Sequence, residues 1–164
     1  MNIKIKLNRF KIYCFTILVI CFNLLLACNN HKIKSKNDFL IQFDINFNNL
    51  CKKEKINNNW DQSDRKIRLL LKEYEPKFST EMSEIEREEI WIKSLIYFHR
   101  RFENQLFKRF SKTDDIILLI RKKIIENKIE ISESTKRALQ NCSHLKDIYK
   151  SETISELEKI IFEK

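Results

Sequence analysis

The chain is 164 residues long, with 32 lysines and arginines against 23 aspartates and glutamates, a formal net charge of +9, no glycine and one proline. That composition excludes folds that depend on glycine: hairpin-rich β-sandwiches and barrels, dinucleotide-binding folds and P-loops, where the backbone takes φ > 0 or approaches a phosphate closely. Lysine, isoleucine and asparagine make up more than a third of the residues, a bias expected of an AT-rich genome, so charge alone is a weak guide to partners.

Residues 1–11 carry Lys4, Lys6, Arg9 and Lys11 and no acid, and an apolar run of 15 residues, 12–26, follows, interrupted by Thr16 and Asn23. These are the charged and apolar regions of a secretory signal. The run falls short of the roughly 20 apolar residues that a membrane-spanning helix needs. It closes on Leu25, Leu26, Ala27 and Cys28, which resemble the lipobox of bacterial lipoproteins: leucine three places before the cut, a small residue just before it, then cysteine. The resemblance implies recognition through Leu25, Leu26 and Ala27, cleavage after Ala27, and a diacylglyceryl thioether on Cys28. That covalent lipid is the only non-protein group expected. Two acyl chains suffice for stable anchoring, each buried methylene contributing about 0.8 kcal/mol.

The chain thereby divides into a signal peptide, 1–27, a lipidated cysteine with a flexible polar tether, 28–37, and a domain, 38–164. Without Lys4, Lys6, Arg9 and Lys11 the mature chain of 137 residues carries +5, a length suited to one domain with a modest core.

After the tether, Phe39, Ile41, Phe43, Ile45 and Phe47 alternate as in a strand, while Phe39, Leu40, Phe43, Phe47 and Leu50 fit a helical face. The rest of the chain reads as helix and offers no sheet to join, so helix is expected over 38–55, and 52–59 as a polar loop. Trp60, Ile67, Leu70, Leu71 and Tyr74 recur at helical spacing, with Asp61 or Ser63 as N-cap and Pro76 ending the helix near Tyr74. Ser83 and Glu86 form a capping box for the longest segment, 83–110, whose stripe is Trp91, Leu95, Phe98, Phe102, Leu106 and Phe110.

Ser111 or Thr113 is expected to cap the next helix. There Ile116, Ile117, Leu119, Ile120, Ile124 and Ile125 cover an arc wide enough for a central place in the core, and Asn127 ends the helix. Ser132 or Ser134 opens a helix with Ala138, Leu139, Cys142, Leu145 and Tyr149 on one face. Thr153 with Glu156 caps a last one bearing Ile154, Leu157, Ile160 and Ile161. The expected fold is all-α: a single domain of five or six amphipathic helices in a bundle-like arrangement.

Cys14 and Cys21 leave with the signal, so Cys51 and Cys142 are the thiols of the folded domain. In an exported protein they can close a disulfide across a long loop; the alternative is two buried reduced cysteines, Cys142 lying on an apolar face. His31, His99 and His144 do not gather with other ligands at metal-binding spacings, so no metal is expected. The sequence holds no glycine-bounded serine and no Cys/His signature, so no catalytic residues and no enzymatic activity are expected.

Glu84, Glu86, Glu88 and Glu89 at the start of the long helix, and Arg100, Arg101, Lys108, Arg109 and Lys112 at its end, have the polarity that the helix dipole favours. The basic residues interleave with Phe102, Phe107 and Phe110 in the manner of a nucleic-acid patch. Export directs them instead towards polyanions such as lipid headgroups or cell-wall polymers. The expected partners are therefore the membrane, through the lipid, and a protein or polyanion, with no nucleic acid.

Leu25, Leu26, Ala27 and Cys28, together with the compositional bias and the glycine-free helical body, resemble the plasmid- or prophage-encoded lipoproteins of Borrelia spirochaetes. The resemblance implies a lipid-anchored protein of the cell envelope, in the outer membrane with a surface or a periplasmic face, working as a non-enzymatic binding or interaction module. The alternative it leaves is a periplasmic accessory protein of prophage lysis or envelope remodelling.

Overall fold

Helix α1, Lys36–Cys51, settles the ambiguous segment. In this computed structural model, which describes residues 33–51, 60–102 and 114–162, α1 buries Phe39, Phe43, Phe47 and Leu50 and leaves Ile41 and Ile45 exposed. Residues two apart on a helix point to different faces, so the apparent alternation separates into a buried phenylalanine stripe and an outer isoleucine pair. The helix begins two residues before the expected domain boundary. Ser35 Oγ accepts the Asp38 N–H at 3.1 Å and Asp38 Oδ2 accepts the Ser35 N–H at 3.2 Å, a reciprocal capping box.

Helix α2, Trp60–Leu69, runs without interruption into a π-helical turn, Leu70–Tyr74, and then α3, Glu75–Phe78. Pro76 therefore does not end the helix at Tyr74. The Glu75 N–H reaches back to the Leu70 carbonyl, which resets the register, and Pro76 then sits in the first turn of α3, where a missing N–H costs nothing. Arg87 closes the exit from α3, donating through Nη1 to the carbonyls of Ser79 at 3.1 Å and Met82 at 2.8 Å.

Helix α4, Glu84–Phe102, starts at the Ser83–Glu86 box: Glu86 Oε2 accepts the Ser83 N–H at 2.7 Å and Ser83 Oγ accepts the Glu86 N–H at 3.2 Å. From Ile90 onwards it is buried on nearly every side, including Ile92, Ser94, Ile96, Tyr97 and His99 as well as the expected Trp91, Leu95, Phe98 and Phe102. A helix apolar around most of its circumference belongs at the centre, and α4 packs against α1, α5 and α6. The central place expected for the isoleucine-rich helix thus belongs to α4. That isoleucine-rich helix, α5, Asp115–Glu126, buries Ile116, Ile117, Ile120 and Ile124 but exposes Leu118 and Ile125.

The N-cap of α5 is Asp114, whose carboxylate accepts the Ile116 N–H at 3.2 Å; Ser111 and Thr113 lie outside the described residues. Arg68 of α2 grips the same carboxylate with both guanidinium nitrogens, at 2.8 and 2.7 Å. Asn127 does end α5, and Lys128 follows it at φ 51°. The Ile129 N–H bonds the Ile124 carbonyl and the Lys128 N–H that of Ile125, a Schellman closure sealed by buried Ile124 and Ile129.

The single helix expected across 132–149 is two: α6, Ile131–Ala138, and α7, Ser143–Ile148. Glu130, not Ser132 or Ser134, caps α6 by accepting the Glu133 N–H at 2.6 Å. A turn closed by Cys142 N–H to the Leu139 carbonyl at 2.8 Å separates them, yet Ala138, Leu139, Cys142, Leu145 and Tyr149 are all buried. In α8, Ser151–Phe162, Thr153 lies inside the helix and donates Oγ1 to the Ile148 carbonyl at 2.9 Å. Every described element is helical, and Lys34–Lys164 cluster as one unit, an all-α domain.

Candidate functional site

The basic end of α4 is only partly a surface. Arg101 turns inward: Nε donates to Asp64 Oδ2 at 3.2 Å, Nη2 to Asp61 Oδ1 at 3.3 Å, and its guanidinium lies 5.3 Å from the Trp60 ring centroid and 5.8 Å from that of Phe102. Asp64 also accepts the Tyr97 hydroxyl at 2.7 Å. Arg101, which the sequence offers as a polyanion contact, thus clamps α2 to α4. Arg100 is half-buried beside His99. Lys108, Arg109 and Lys112 lie outside the described residues, as do the lipobox residues Leu25, Leu26, Ala27 and Cys28.

Cys51 at the end of α1 and Cys142 ahead of α7 are joined as a disulfide, with their Cα atoms 5.1 Å apart, inside the range that the bond's geometry allows. At the other end of α1, Lys36 Nζ pairs with both carboxylate oxygens of Glu86 at 3.1 Å. Helix α1 is therefore pinned to the body at its first turn and its last. Among the described residues no three His, Cys, Asp or Glu side chains converge as a metal site, and no described helix is long and apolar enough to cross a membrane.

His99 is 4 % exposed, and its Nδ1 lies 3.0 Å from the Tyr149 hydroxyl, which also donates to the Ile96 carbonyl at 3.1 Å. A phenol has one proton, so with that proton on Ile96 it accepts from Nδ1–H. The tautomer follows: Nε2 carries a lone pair, and it is buried without a partner. Burial holds the imidazole below its ordinary pKa, opposed by the nearby Glu156 and reinforced by Arg100. Burial likewise pushes the Tyr149 phenol well above its usual range.

Tyr149 also lines a cleft of about 300 Å³ with Thr135, Lys136 and Leu139 from α6 and the turn after it, and Lys146 from α7. Thr135 is 1 % exposed and its Oγ1 has no hydrogen-bond partner. A threonine inside a helix ordinarily returns its hydroxyl to the carbonyl four residues back; a buried hydroxyl left unpaired costs about 1 to 3 kcal/mol. The lining is rich in donors and holds no carboxylate. Lys146 Nζ donates to the Gln140 carbonyl at 2.7 Å and Lys136 Nζ meets Glu133 at 2.8 Å.

This cleft escaped the sequence reading. Tyr149 was legible only as a member of an apolar face and His99 only as a residue of the long helix. The available signal was chemical: a tyrosine buried on an apolar stripe needs a partner for its hydroxyl, and a histidine on a buried helix supplies one.

A buried carboxyl group lies at the exit of the π-turn. Glu75 is 3 % exposed, and burial raises its pKa against the opposing fields of Lys123 and Arg87. No family model, no curated protein and no solved structure matches the chain.

Proposed function

We propose that this chain is a bacterial envelope lipoprotein, anchored through a diacylglyceryl Cys28, whose helical body is a non-enzymatic binding module. The observation that carries the reading is the run Leu25-Leu26-Ala27-Cys28 behind a basic segment and an apolar stretch of 15 residues. Its likeness to the Borrelia lipoproteins rests on the same four residues and on composition. The architecture of the body agrees with it. Helix α1 begins eight residues after Cys28 and is held at both ends, by Lys36–Glu86 and by Cys51–Cys142. A disulfide is also the bond that exported proteins keep.

The contact surface that this reading favours is the end of α4 and the segment after it: Arg100 with Lys108, Arg109 and Lys112, without Arg101. Treating intact cells with protease tests where the surface faces. Loss of the domain, with a periplasmic control protein preserved, supports a surface module that meets partners outside the cell. Survival of the domain until the outer membrane is opened supports the periplasmic accessory role instead. Replacing Cys28 by serine should move the protein out of the membrane fraction, and a variant that stays there defeats the anchoring.

A further inference from the structure

Glu75, the first residue of α3, is 3 % exposed, and its carboxyl takes no hydrogen bond from the described residues. Burying a charge without hydrogen-bonding partners is costly, so this place suits the neutral acid and resists the carboxylate. The π-turn before it explains why it is inside. Ile67, Leu70 and Leu71 are buried on one face. In an unbroken α-helix Tyr74, seven, four and three residues beyond them, is the next member of that face. The π-turn adds one residue to a single turn and gives the place to Glu75, leaving Tyr74 half-buried.

We propose that this segment is a proton-operated register switch. While Glu75 holds its proton, the π-turn keeps it inside and α3 lies closed on the body. When the proton leaves, the turn reverts to α-helical register, Tyr74 enters the core, Glu75 passes to solvent, and the helix stops ahead of Pro76. The inference stands independently of the lipid anchor and of the contact surface. Pro76 suits both arrangements: it fits the first turn of α3 in one, and in the other it ends the helix, having no N–H and blocking the turn before it. Helix α3 has four residues and is tied down by the Phe78 ring, 6.1 Å from that of Phe39, and by Arg87 on the Ser79 and Met82 carbonyls; so short an element opens more readily than the long helices around it.

The charged groups acting on Glu75 are Lys123 of α5 and Arg87 of α4; both favour the carboxylate, and burial outweighs them. Helix α1, which also packs on the π-turn, brings no charge to bear on it, and Lys72, Glu73 and Lys77 beside it in sequence are exposed. Arg87 is engaged with its two carbonyls, and Lys123 is shared with Glu126 at 4.0 Å. The pKa of the closed form stands above the ordinary 4.5, so the closed form is fully favoured below that value and is lost as the pH rises through the raised one. His99 responds with the opposite sign.

The test follows amide exchange of residues 70–82, corrected for the intrinsic pH dependence of exchange, in the full chain purified in detergent with its disulfide intact. Between about pH 5 and about pH 8 the corrected exchange of 75–82 should rise at least tenfold, while the Tyr74 ring becomes less accessible to a photo-excited flavin dye. Glu75→Gln, neutral at every pH, should hold the segment closed across the range. Glu73→Gln, which removes an exposed acid nearby, and His99→Phe should leave the response intact. Exchange that does not change with pH, or an equal rise in Glu75→Gln, overturns the proposal, and loss of the response in His99→Phe assigns it to the imidazole and overturns it as well. A rise accompanied by greater exposure of Tyr74 overturns the register shift, because the segment then melts.

Discussion

His99 and Tyr149 stand 50 residues apart in the chain and 3.0 Å apart in the fold, and their hydrogen bond continues through the phenol to the Ile96 carbonyl. The bond joins the central helix to the turn before α8 and leaves a neutral imidazole in the core. Burial keeps the folded-state pKa of His99 below its ordinary 6.5, so the unfolded chain takes up a proton that the folded chain refuses. The corresponding stability is fully present above about pH 6.5 and is lost as the pH falls from there towards the folded value.

Denaturant unfolding at about pH 7.5 and about pH 5.5 should therefore show a loss of stability on acidification that His99→Phe reduces. Tyr149→Phe leaves the Nδ1–H unpaired in the core and should cost about 1 to 3 kcal/mol at neutral pH. Equal acid sensitivity in the native chain and His99→Phe would contradict the assignment.

The disulfide closes a loop with a sequence separation of 91. Reduction, or replacement of Cys51 and Cys142 by serine and alanine, should lower stability by roughly 2 to 5 kcal/mol. The check is a mass measurement after alkylation without reductant. Neither residue should be modified, and modification of both would show a reduced pair.

Lys128 takes φ 51° at the end of α5 in a chain without glycine. A side chain there meets its own backbone, and the left-handed conformation costs roughly 1 to 2 kcal/mol for a residue with a Cβ. Part of that gain is returned as extra freedom in the unfolded chain, so Lys128→Gly should stabilise by about 0.5 to 1 kcal/mol. A thermal melt that falls instead would contradict the Schellman closure.

Arg100 and Arg101 are neighbours with opposite assignments. Arg101→Glu removes the clamp on Asp61 and Asp64 and the contacts with Trp60 and Phe102, and should cost about 1 to 3 kcal/mol. Arg100→Glu should change stability by less than about 1 kcal/mol while weakening binding to anionic vesicles. The reverse pattern would return Arg101 to the contact surface.

Features governed by local chemistry were readable from the chain itself. The Ser83–Glu86 box, the Trp91–Leu95–Phe98–Phe102 stripe and the stop at Asn127 follow from spacing and capping. Features governed by register or by distant partners were not. Pro76 is tolerated because a π-turn shifts the hydrogen-bond pattern by one residue, and residue identity does not announce that shift. The break between α6 and α7 preserves the burial of Leu139, Cys142, Leu145 and Tyr149, so the apolar period is the same whether the helix is broken or whole. Arg101 looks like Arg100 in sequence, and only Asp61 and Asp64, some forty residues earlier, distinguish them. The cleft brings Thr135, Lys136 and Leu139 beside Lys146 and Tyr149 across the break between α6 and α7, and the His99–Tyr149 bond spans 50 residues, so no local spacing announces either.

The most direct measurement is the intact mass of the protein extracted from the membranes of cells that produce it. The expected chain begins at Cys28 and carries a diacylglyceryl group, with further mass where its new amino terminus is acylated, and Cys28→Ser abolishes that species. A chain that retains residues 1–27, or one whose Cys28 is unmodified, would contradict the lipid-anchored reading.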